Sequence, residues 1–288
     1  MSAVSDLFTT FTARYPAQPA TAFWRALEIE ALASRNIPTS GIGLDLGCGD
    51  GILTDILLER IGPRRLVGID IDPLETAAAK NFEFYERIHT CSADAIPEAD
   101  ASFDYVISNS VLEHIPPLEG TISEVGRLLR PGGRFYFTVP CPGFRANLAG
   151  SALPWRDRES YLEELDRRLA HFHYLSQDEW RDLLNRHGLE LDECLGYLDR
   201  AETRRWERLS RFTGGLLYSV FGGGARPIEI QRKIGARGLQ NSLRLPDFVA
   251  RPLGRIMRSG LGIATGQPRF CDVEHASCLL IEGHRRAS

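Results

Sequence analysis

The sequence predicts an α/β fold, a doubly wound and mainly parallel sheet of seven strands. Three observations lead to this class. Short β-rich runs alternate with helical patterns from about residue 41 onward, a glycine-rich turn (LDLGCGDG) follows the first apolar run, and single acidic residues stand where later strands end. Alternation of this kind implies right-handed βαβ crossovers, which produce a parallel sheet with helices on both faces.

Each element has its own signal. The first strand, GIGLDLG, leads into the helix GILTDILLERIG, whose apolar residues share one face and which Gly62-Pro63 ends. Pro73 suits the first turn of the next helix. Ser176 and Glu179 form a capping box, and Gly188 marks the end of that helix. The remaining strands are RLVGIDI, IHTCSADA, FDYVISN, RFYFTVP, LELDECLGYL and ASCLLIEGHR.

Two segments lie outside the alternation. Residues 1–40 are expected to form an N-terminal helical cap, and residues 200–271 a basic and apolar accessory insertion. The core is then formed by residues 41–199, completed by the final strand within 272–288. Residues 200–270 hold fourteen basic against four acidic side chains, although the whole chain has a formal charge of −4.

The mixture of arginine with apolar residues in 200–270 is typical of an interfacial surface or of a lid over an anionic substrate. We expect this segment to meet a bulky or amphipathic acceptor with negative charge, or to contact a membrane peripherally. The alternative is an accessory helical subdomain whose arginines are only solvated or pair with the acidic core.

Composition narrows the function classes. With 43% hydrophobic and 25% charged residues the chain resembles an ordinary soluble protein. It has no evident signal peptide and no apolar run long enough to span a bilayer, so a cytoplasmic location is expected. Its six cysteines form no CxxC pair, which predicts neither a zinc site nor a disulfide framework.

The glycine turn reads GxGxG. A dinucleotide fingerprint requires a small residue at the sixth position, where this chain has Ile52, and a P-loop requires a lysine that is missing here. The turn is therefore expected to contact a ligand without phosphates. The same departure disfavours a nucleotide-dependent oxidoreductase.

Three carboxylates accompany the turn. Asp70 ends the second strand, where a carboxylate can accept hydrogen bonds from two ribose hydroxyls. Asp94 follows the third strand and could accept from an exocyclic adenine amine. Asp45 precedes the turn and could face an ammonium group or orient the loop. Alternatively, Asp70 caps a helix, although Asp72 is the better candidate, and Asp94 is a turn residue.

The segments LDLGCGDG, VGIDIDP, SADAIPEADASFDYVISNSVLEHI and RLLRPGGRFYFTVP, in this order and spacing, resemble class I S-adenosylmethionine (SAM)-dependent methyltransferases of the type 11-like group. The resemblance covers about 41–199 and the last strand. It implies a Rossmann-like fold with an antiparallel last strand, and SAM as the cofactor. The cofactor-binding residues that it implies are Asp45, Gly47 and Gly49 for the methionine part, Asp70 for ribose, Asp94 for adenine, and Ile71 and Ala95 beside adenine.

The fourth strand ends in SNSVLEHIPP, which places Ser108, Asn109, Glu113 and His114 near the donor methyl. Asn109 is counted with the cofactor-binding residues. His114 is a candidate general base, or alternatively holds the loop through a hydrogen bond. The segment HFHYLS adds His171 and His173 as further catalytic candidates at the same rim. Because no carboxylate has convincing spacing to this pair, no metal site is expected.

These observations predict a SAM-dependent methyltransferase that acts on a small-molecule or glycan- or lipid-linked acceptor, preferably at oxygen. Two alternatives stay open. One is a SAM-binding regulatory protein without catalysis. The other is an RNA methyltransferase, although the chain has no recognisable RNA module and a negative net charge, so no nucleic-acid partner is expected.

Overall fold

A computed structural model describes residues 6–14, 18–151, 155–211 and 267–287, with Val249, Pro252, Gly254 and Ile256. Eight strands form one mixed sheet in the order β3-β2-β1-β4-β5-β8-β6-β7. The strands are β1 (Gly43–Leu46), β2 (Leu66–Asp70), β3 (Tyr85–Thr90), β4 (Phe103–Asn109), β5 (Leu129–Pro140), β6 (Leu189–Tyr197), β7 (Phe270–Cys271) and β8 (Cys278–Arg285).

The sheet confirms the predicted doubly wound class. Strands β1 to β5 pair in parallel, and β8 is antiparallel to both β5 and β6. The eighth strand is the two-residue β7 at the edge, which pairs with Gly196 and Tyr197 of β6. Two residues are too few to show a period, which is why the sequence predicted seven strands.

Helices cover both faces of the sheet. Those in the described part of the chain are α1 (Leu7–Arg14), α2 (Pro19–Ala33), α3 (Ile52–Ile61), α4 (Pro73–Ala79), α5 (Leu118–Leu128), α6 (Pro142–Asn147), α7 (Arg158–Leu169), α8 (Gln177–Arg186) and α9 (Arg200–Ser210). Buried residues of α5 and α8, such as Ile122 and Trp180, form one core cluster with the sheet. The opposite cluster contains Phe23 of α2, Leu57 of α3 and Trp206 of α9.

The segments outside the predicted core contact it closely. Trp24 of α2 and Trp206 of α9 each pack against Phe144 of the core, with ring centroids 5.5 Å apart in both pairs. Helix α9 and strand β7 both fall within 200–271, whereas residues 212–248 of that insertion lie outside the described residues. The division into 1–40, 41–199, 200–271 and 272–288 stays a prediction.

No helix in the described ranges combines the length and apolarity needed to cross a membrane. The cytoplasmic location inferred from the sequence stays a prediction. For function, the important consequence of the topology is that the carboxyl ends of β1, β2, β3 and β4 meet at one edge of the sheet, where ligands bind in open α/β sheets.

Candidate active site

A cleft of about 620 Å³ opens at this carboxyl edge. Its walls come from the glycine turn after β1, the end of β2, the loop after β3, the end of β4 and helix α2. Of the predicted cofactor-binding residues, those that line the cleft are Asp45, Gly47, Gly49, Asp70, Ile71 and Asn109. Of the predicted catalytic residues, His114 lines it.

The glycine turn is anchored to the neighbouring strand. The backbone N–H groups of Gly47 and Cys48 both donate to the carbonyl of Ile69, at 2.9 and 2.8 Å. Gly47 has φ +80°, and a Cβ there would lie 2.4 Å from the Val111 side chain. Gly49 has φ +54°, but a Cβ there would meet no atom within 4 Å. Gly47 is thus required for packing, whereas Gly49 presents bare backbone to the cleft.

Asp70 is held at the floor of the cleft. Its carboxylate accepts hydrogen bonds from the backbone N–H of Gly49 at 3.0 Å and of Asp72 at 2.9 Å. Burial raises the pKa of Asp70, and these two hydrogen bonds partly offset that rise. Asp72, not Asp70, caps α4, since its side chain accepts from Leu74 N–H at 2.9 Å. Beside it the side chain of Ile71 is 74% exposed, an apolar surface for a flat ring.

Asp45 lies beneath the turn and is buried. Its Oδ2 accepts from the hydroxyls of Thr54 at 2.6 Å and Tyr85 at 2.5 Å. Burial raises its pKa to about 6, against the effect of these two hydrogen bonds. The carboxylate therefore ties together β1, α3 and β3, which supports the loop-orienting alternative, and direct contact with an ammonium group stays a prediction.

Strand β3 ends at Thr90, before SADA, so Asp94 and Ala95 lie in the loop that follows it. The loop residues that reach the cleft first are therefore Cys91, Ser92 and Ala93. Asp94 is exposed and accepts a hydrogen bond from the Ser92 hydroxyl. The assignment of Asp94 and Ala95 to adenine stays a prediction.

A buried polar network fixes the end of β4. Asn109 Oδ1 lies 2.7 Å from the hydroxyl of Thr138, while its Nδ2 is buried without a hydrogen-bond partner among the described residues. Such an orphaned donor at a cleft wall suits a ligand acceptor. Ser110, at φ +51°, donates to the carboxylate of Glu28, a fully buried residue of α2.

Glu28 also accepts from Arg25 at 2.5 Å, and Arg25 lines the cleft. Sequence reasoning did not select these two residues. The available signal was the charge within the apolar helix FWRALEIEALA, since a carboxylate on a buried face requires a partner. Helix α2 is therefore part of the site, and not only a cover over the sheet.

Charge in the cleft favours a cationic ligand over a phosphate. Its acidic lining residues are Asp45, Asp50, Asp70, Asp72 and Glu75, against Arg14 and Arg25. Both arginines pair with carboxylates, Arg14 with Asp55 at 3.3 Å and Arg25 with Glu28.

The predicted histidines gather at the mouth of the cleft. His114 Nδ1 lies 3.0 Å from the carbonyl oxygen of Ala170, and its ring centroid is 5.1 Å from that of His171. His171 does not line the cleft directly, and its burial lowers its pKa to about 3. His173 contacts the carbonyl of Ile115 at 2.9 Å and is also set back from the cleft.

A carboxylate lies beside two of the histidines. The sequence showed none with convincing spacing to the HxH pair, and in the fold Glu113 lies next to His114 and His171, with one ligand atom of each within 4.8 Å of the others. His173, the other member of the HxH pair, is not in this group, and the expectation of no metal site stays a prediction. Sequence spacing could not show the position of Glu113 beside His171, because His171 follows α7 and Glu113 follows β4. Burial raises the pKa of Glu113 to about 8.

Comparison with known proteins decides the family. A model of the methyltransferase domain family matches residues 20–193, more than half of the chain. The chain belongs to the SAM-dependent methyltransferases. The matched range includes helix α2 from Ala20 onward, which agrees with the contribution of Arg25 and Glu28 to the site.

The curated relatives match only part of this chain. A protein of Mycolicibacterium smegmatis described as a probable SAM-dependent methyltransferase is 31% identical over 158 residues, 53% of this chain and 53% of the relative. A ubiquinone biosynthesis O-methyltransferase of Nitrosococcus oceani is 34% identical over 101 residues, 33% of this chain and 42% of the relative. The chain thus spans about half the length of the curated relatives it matches.

Among solved structures, a SAM-dependent methyltransferase of Thermotoga maritima superposes with a TM-score of 0.53 and 12% identity, covering 97% of this chain and 100% of that one. This likeness shows the fold alone.

The residues present fit the family's cofactor, SAM. The bare backbone at Gly49 leaves room for its methionine part, and Asp70 has the acceptor capacity for ribose hydroxyls. The carboxylate-rich lining suits a ligand with an ammonium and a sulfonium group and no phosphate.

Proposed function

We propose that this methyltransferase methylates a hydroxyl group of a small-molecule or glycan- or lipid-linked acceptor. The observation that carries the proposal is the position of His114. It lines the same cleft as the glycine turn and Asp70, at the mouth where an acceptor enters. The relatives include both an O-methyltransferase and an N-methyltransferase, so the choice of oxygen rests on His114.

When bound, SAM supplies a methyl group already activated on a sulfonium. The chain's task is then to orient the acceptor, which can contribute about 7–11 kcal/mol in favourable cases. The glycine turn and Asp70 fix one end of the cleft, and the Glu28 network fixes the other.

An acceptor hydroxyl must also lose its proton as the new O–C bond forms. His114 Nδ1 donates to the Ala170 carbonyl, which leaves the lone pair of the neutral ring on Nε2. That nitrogen can accept a hydrogen bond from an acceptor hydroxyl. His114 thereby combines the two roles considered from the sequence, since one ring nitrogen holds the loop and the other serves the site.

Replacing His114 by alanine is expected to lower turnover by about 10²–10⁴-fold, the usual contribution of a positioned proton acceptor. SAM affinity should stay near that of the parent, because His114 makes none of the hydrogen bonds that hold Asp70 and the glycine turn. Release of S-adenosylhomocysteine with a panel of hydroxylated acceptors measures the first, and calorimetric titration measures the second.

His284→Ala is the matched control, since His284 pairs with Asp192 in the strands and does not line the cleft. Unchanged turnover in His114→Ala would remove this residue from the mechanism. A parent protein that binds SAM but methylates no acceptor would contradict the proposed function itself.

We also propose that the acceptor or its carrier surface is anionic. Arg200, Arg204, Arg205 and Arg208 surround a shallow depression on the outer face of α9. The acids of this helix face inward, since Glu202 and Glu207 are buried. Glu207 accepts from the backbone N–H groups of Ala149 and Gly150 at 2.9 and 3.2 Å, so it does not neutralise the outer face.

The double variant Arg204→Ala/Arg208→Ala is expected to bind phosphatidylserine-containing vesicles about 10-fold more weakly or worse at low salt, because each arginine near an anionic surface contributes about 1 kcal/mol. Co-sedimentation measures binding, with phosphatidylcholine vesicles as the neutral reference. Arg181→Ala/Arg186→Ala on α8, across the sheet, is the control. Equal binding by parent and Arg204/Arg208 variant would contradict membrane contact through α9.

A further inference from the structure

We propose that Glu113, His114 and His171 bind a divalent transition-metal ion at the mouth of the cleft. The three residues each offer a ligand atom, and these atoms all lie within 4.8 Å of one another. His114 Nε2 is 3.8 Å from Glu113 Oε1. A metal ion bonded at about 2.0–2.2 Å to imidazole nitrogen and carboxylate oxygen can bridge such atoms after small side-chain rotations.

The hydrogen bond of His114 prepares it as a ligand. Its Nδ1–H donates to the carbonyl of Ala170, so the lone pair lies on Nε2, on the side of Glu113. A metal-bound histidine usually donates its other N–H to a carbonyl or carboxylate, which fixes both tautomer and ring orientation. The loop-holding bond of His114 has this form.

His171 is also oriented as a metal ligand, through two successive hydrogen bonds. The Tyr174 hydroxyl donates to Asp166 Oδ1 at 2.5 Å, so its oxygen accepts from His171 Nδ1–H at 3.0 Å. Asp166 is in turn fixed by Arg145 at 2.6 Å. This direction of hydrogen bonding leaves the lone pair of His171 on Nε2. The hydrogen bonds that link Asp166, Tyr174 and His171 therefore orient a second nitrogen ligand.

Glu113 supplies a second observation. It is 2% exposed, its Oε1 is the oxygen 3.8 Å from His114 Nε2, and its Oε2 is buried without a hydrogen-bond partner among the described residues. A buried carboxylate oxygen left without a partner is costly, and a bound cation is one of the few groups that offsets this cost.

The ligand set indicates the class of ion. Two imidazoles and one carboxylate suit Mn²⁺, Fe²⁺, Co²⁺, Ni²⁺ or Zn²⁺ and leave coordination positions open. His114 is 38% exposed in its side chain and lines the cleft, so the open positions face the acceptor. With a metal ion bound, His114 Nε2 is a ligand and no longer accepts a hydrogen bond from the acceptor hydroxyl, so the ion holds the acceptor oxygen instead. This role rests on the proposed function, whereas metal binding does not.

The test uses the 288-residue chain after treatment with EDTA, titrated with Co²⁺. We expect one Co²⁺ per chain, measured by calorimetry and by the visible absorption of the protein-bound ion. His171→Ala and Glu113→Gln should each weaken binding about 10-fold or more. Tyr174→Phe should weaken it about 10–100-fold, as loss of an outer-shell partner commonly does. His284→Ala, outside the cluster, should bind like the parent.

Thermal unfolding and SAM titration of every variant show whether it is folded. Parent protein that binds no Co²⁺, or a folded Glu113→Gln and His171→Ala pair that bind it like the parent, would overturn the metal site. Normal Co²⁺ binding without turnover of any acceptor would leave the site intact and count against the proposed function.

Discussion

Asp70→Ala is expected to weaken SAM binding by about 100-fold or more. The variant loses the two hydrogen bonds that the Asp70 carboxylate would accept from the ribose hydroxyls, and each bond to a charged acceptor contributes about 1.5–3 kcal/mol. The variant also deprives the Gly49 N–H of its partner at 3.0 Å, which loosens the turn against which the ligand lies. Calorimetric titration of purified parent and variant measures the loss.

Asp157→Ala is the control for this substitution. Asp157 caps α7 and does not line the cleft, so its loss should cost about 1 kcal/mol of unfolding free energy with little effect on SAM affinity. If Asp70→Ala binds SAM as tightly as the parent, or if both variants lose affinity equally, the ribose assignment is wrong.

Gly49→Ala is expected to lower SAM affinity by about 10–100-fold, because the added methyl group would occupy the cleft and overpacking commonly costs about 1–3 kcal/mol. The position has φ +54°, and the space around it is open, so the new Cβ meets the ligand and not the protein. Titration with SAM and thermal unfolding measure the two effects separately.

Gly132→Ala separates backbone strain from ligand exclusion. Gly132 has φ +75° and open space around it, but it lies near the amino end of β5, at the opposite edge of the sheet. Both variants should lose about 1–2 kcal/mol of stability, the cost of alanine in a left-handed conformation. Only Gly49→Ala should lose affinity. Equal affinity in both variants would mean that Gly49 does not contact the ligand.

Much of the fold was predictable because its signals are local. The alternation of strands and helices, the capping box at Ser176 and the cap at Asp72 depend on residues a few positions apart. The end of β3 was missed, since the polar run SADA continues a β-rich segment with no breaker before it. The loop after β3 contributes Ser92 and Ala93 to the cleft wall, directly before Asp94 and Ala95.

The site residues were predictable from the sequence only where they belong to one continuous segment. Asp70 and the glycine turn belong to a single βαβ unit, so their spacing shows their relation. The contact between Glu28 and Ser110 joins residues 82 positions apart, and the cluster of Glu113 with His171 joins two loops. Such juxtapositions arise from the packing of α2 and of the segment after α7, which the sequence pattern does not specify.

The central claim is that the cleft at the carboxyl edge binds an adenosyl sulfonium and not a dinucleotide. Titration of the parent protein with SAM and, separately, with NAD tests it most directly. We expect one SAM bound per chain and no measurable heat with NAD. Absence of SAM binding, or tighter binding of NAD, would contradict the account.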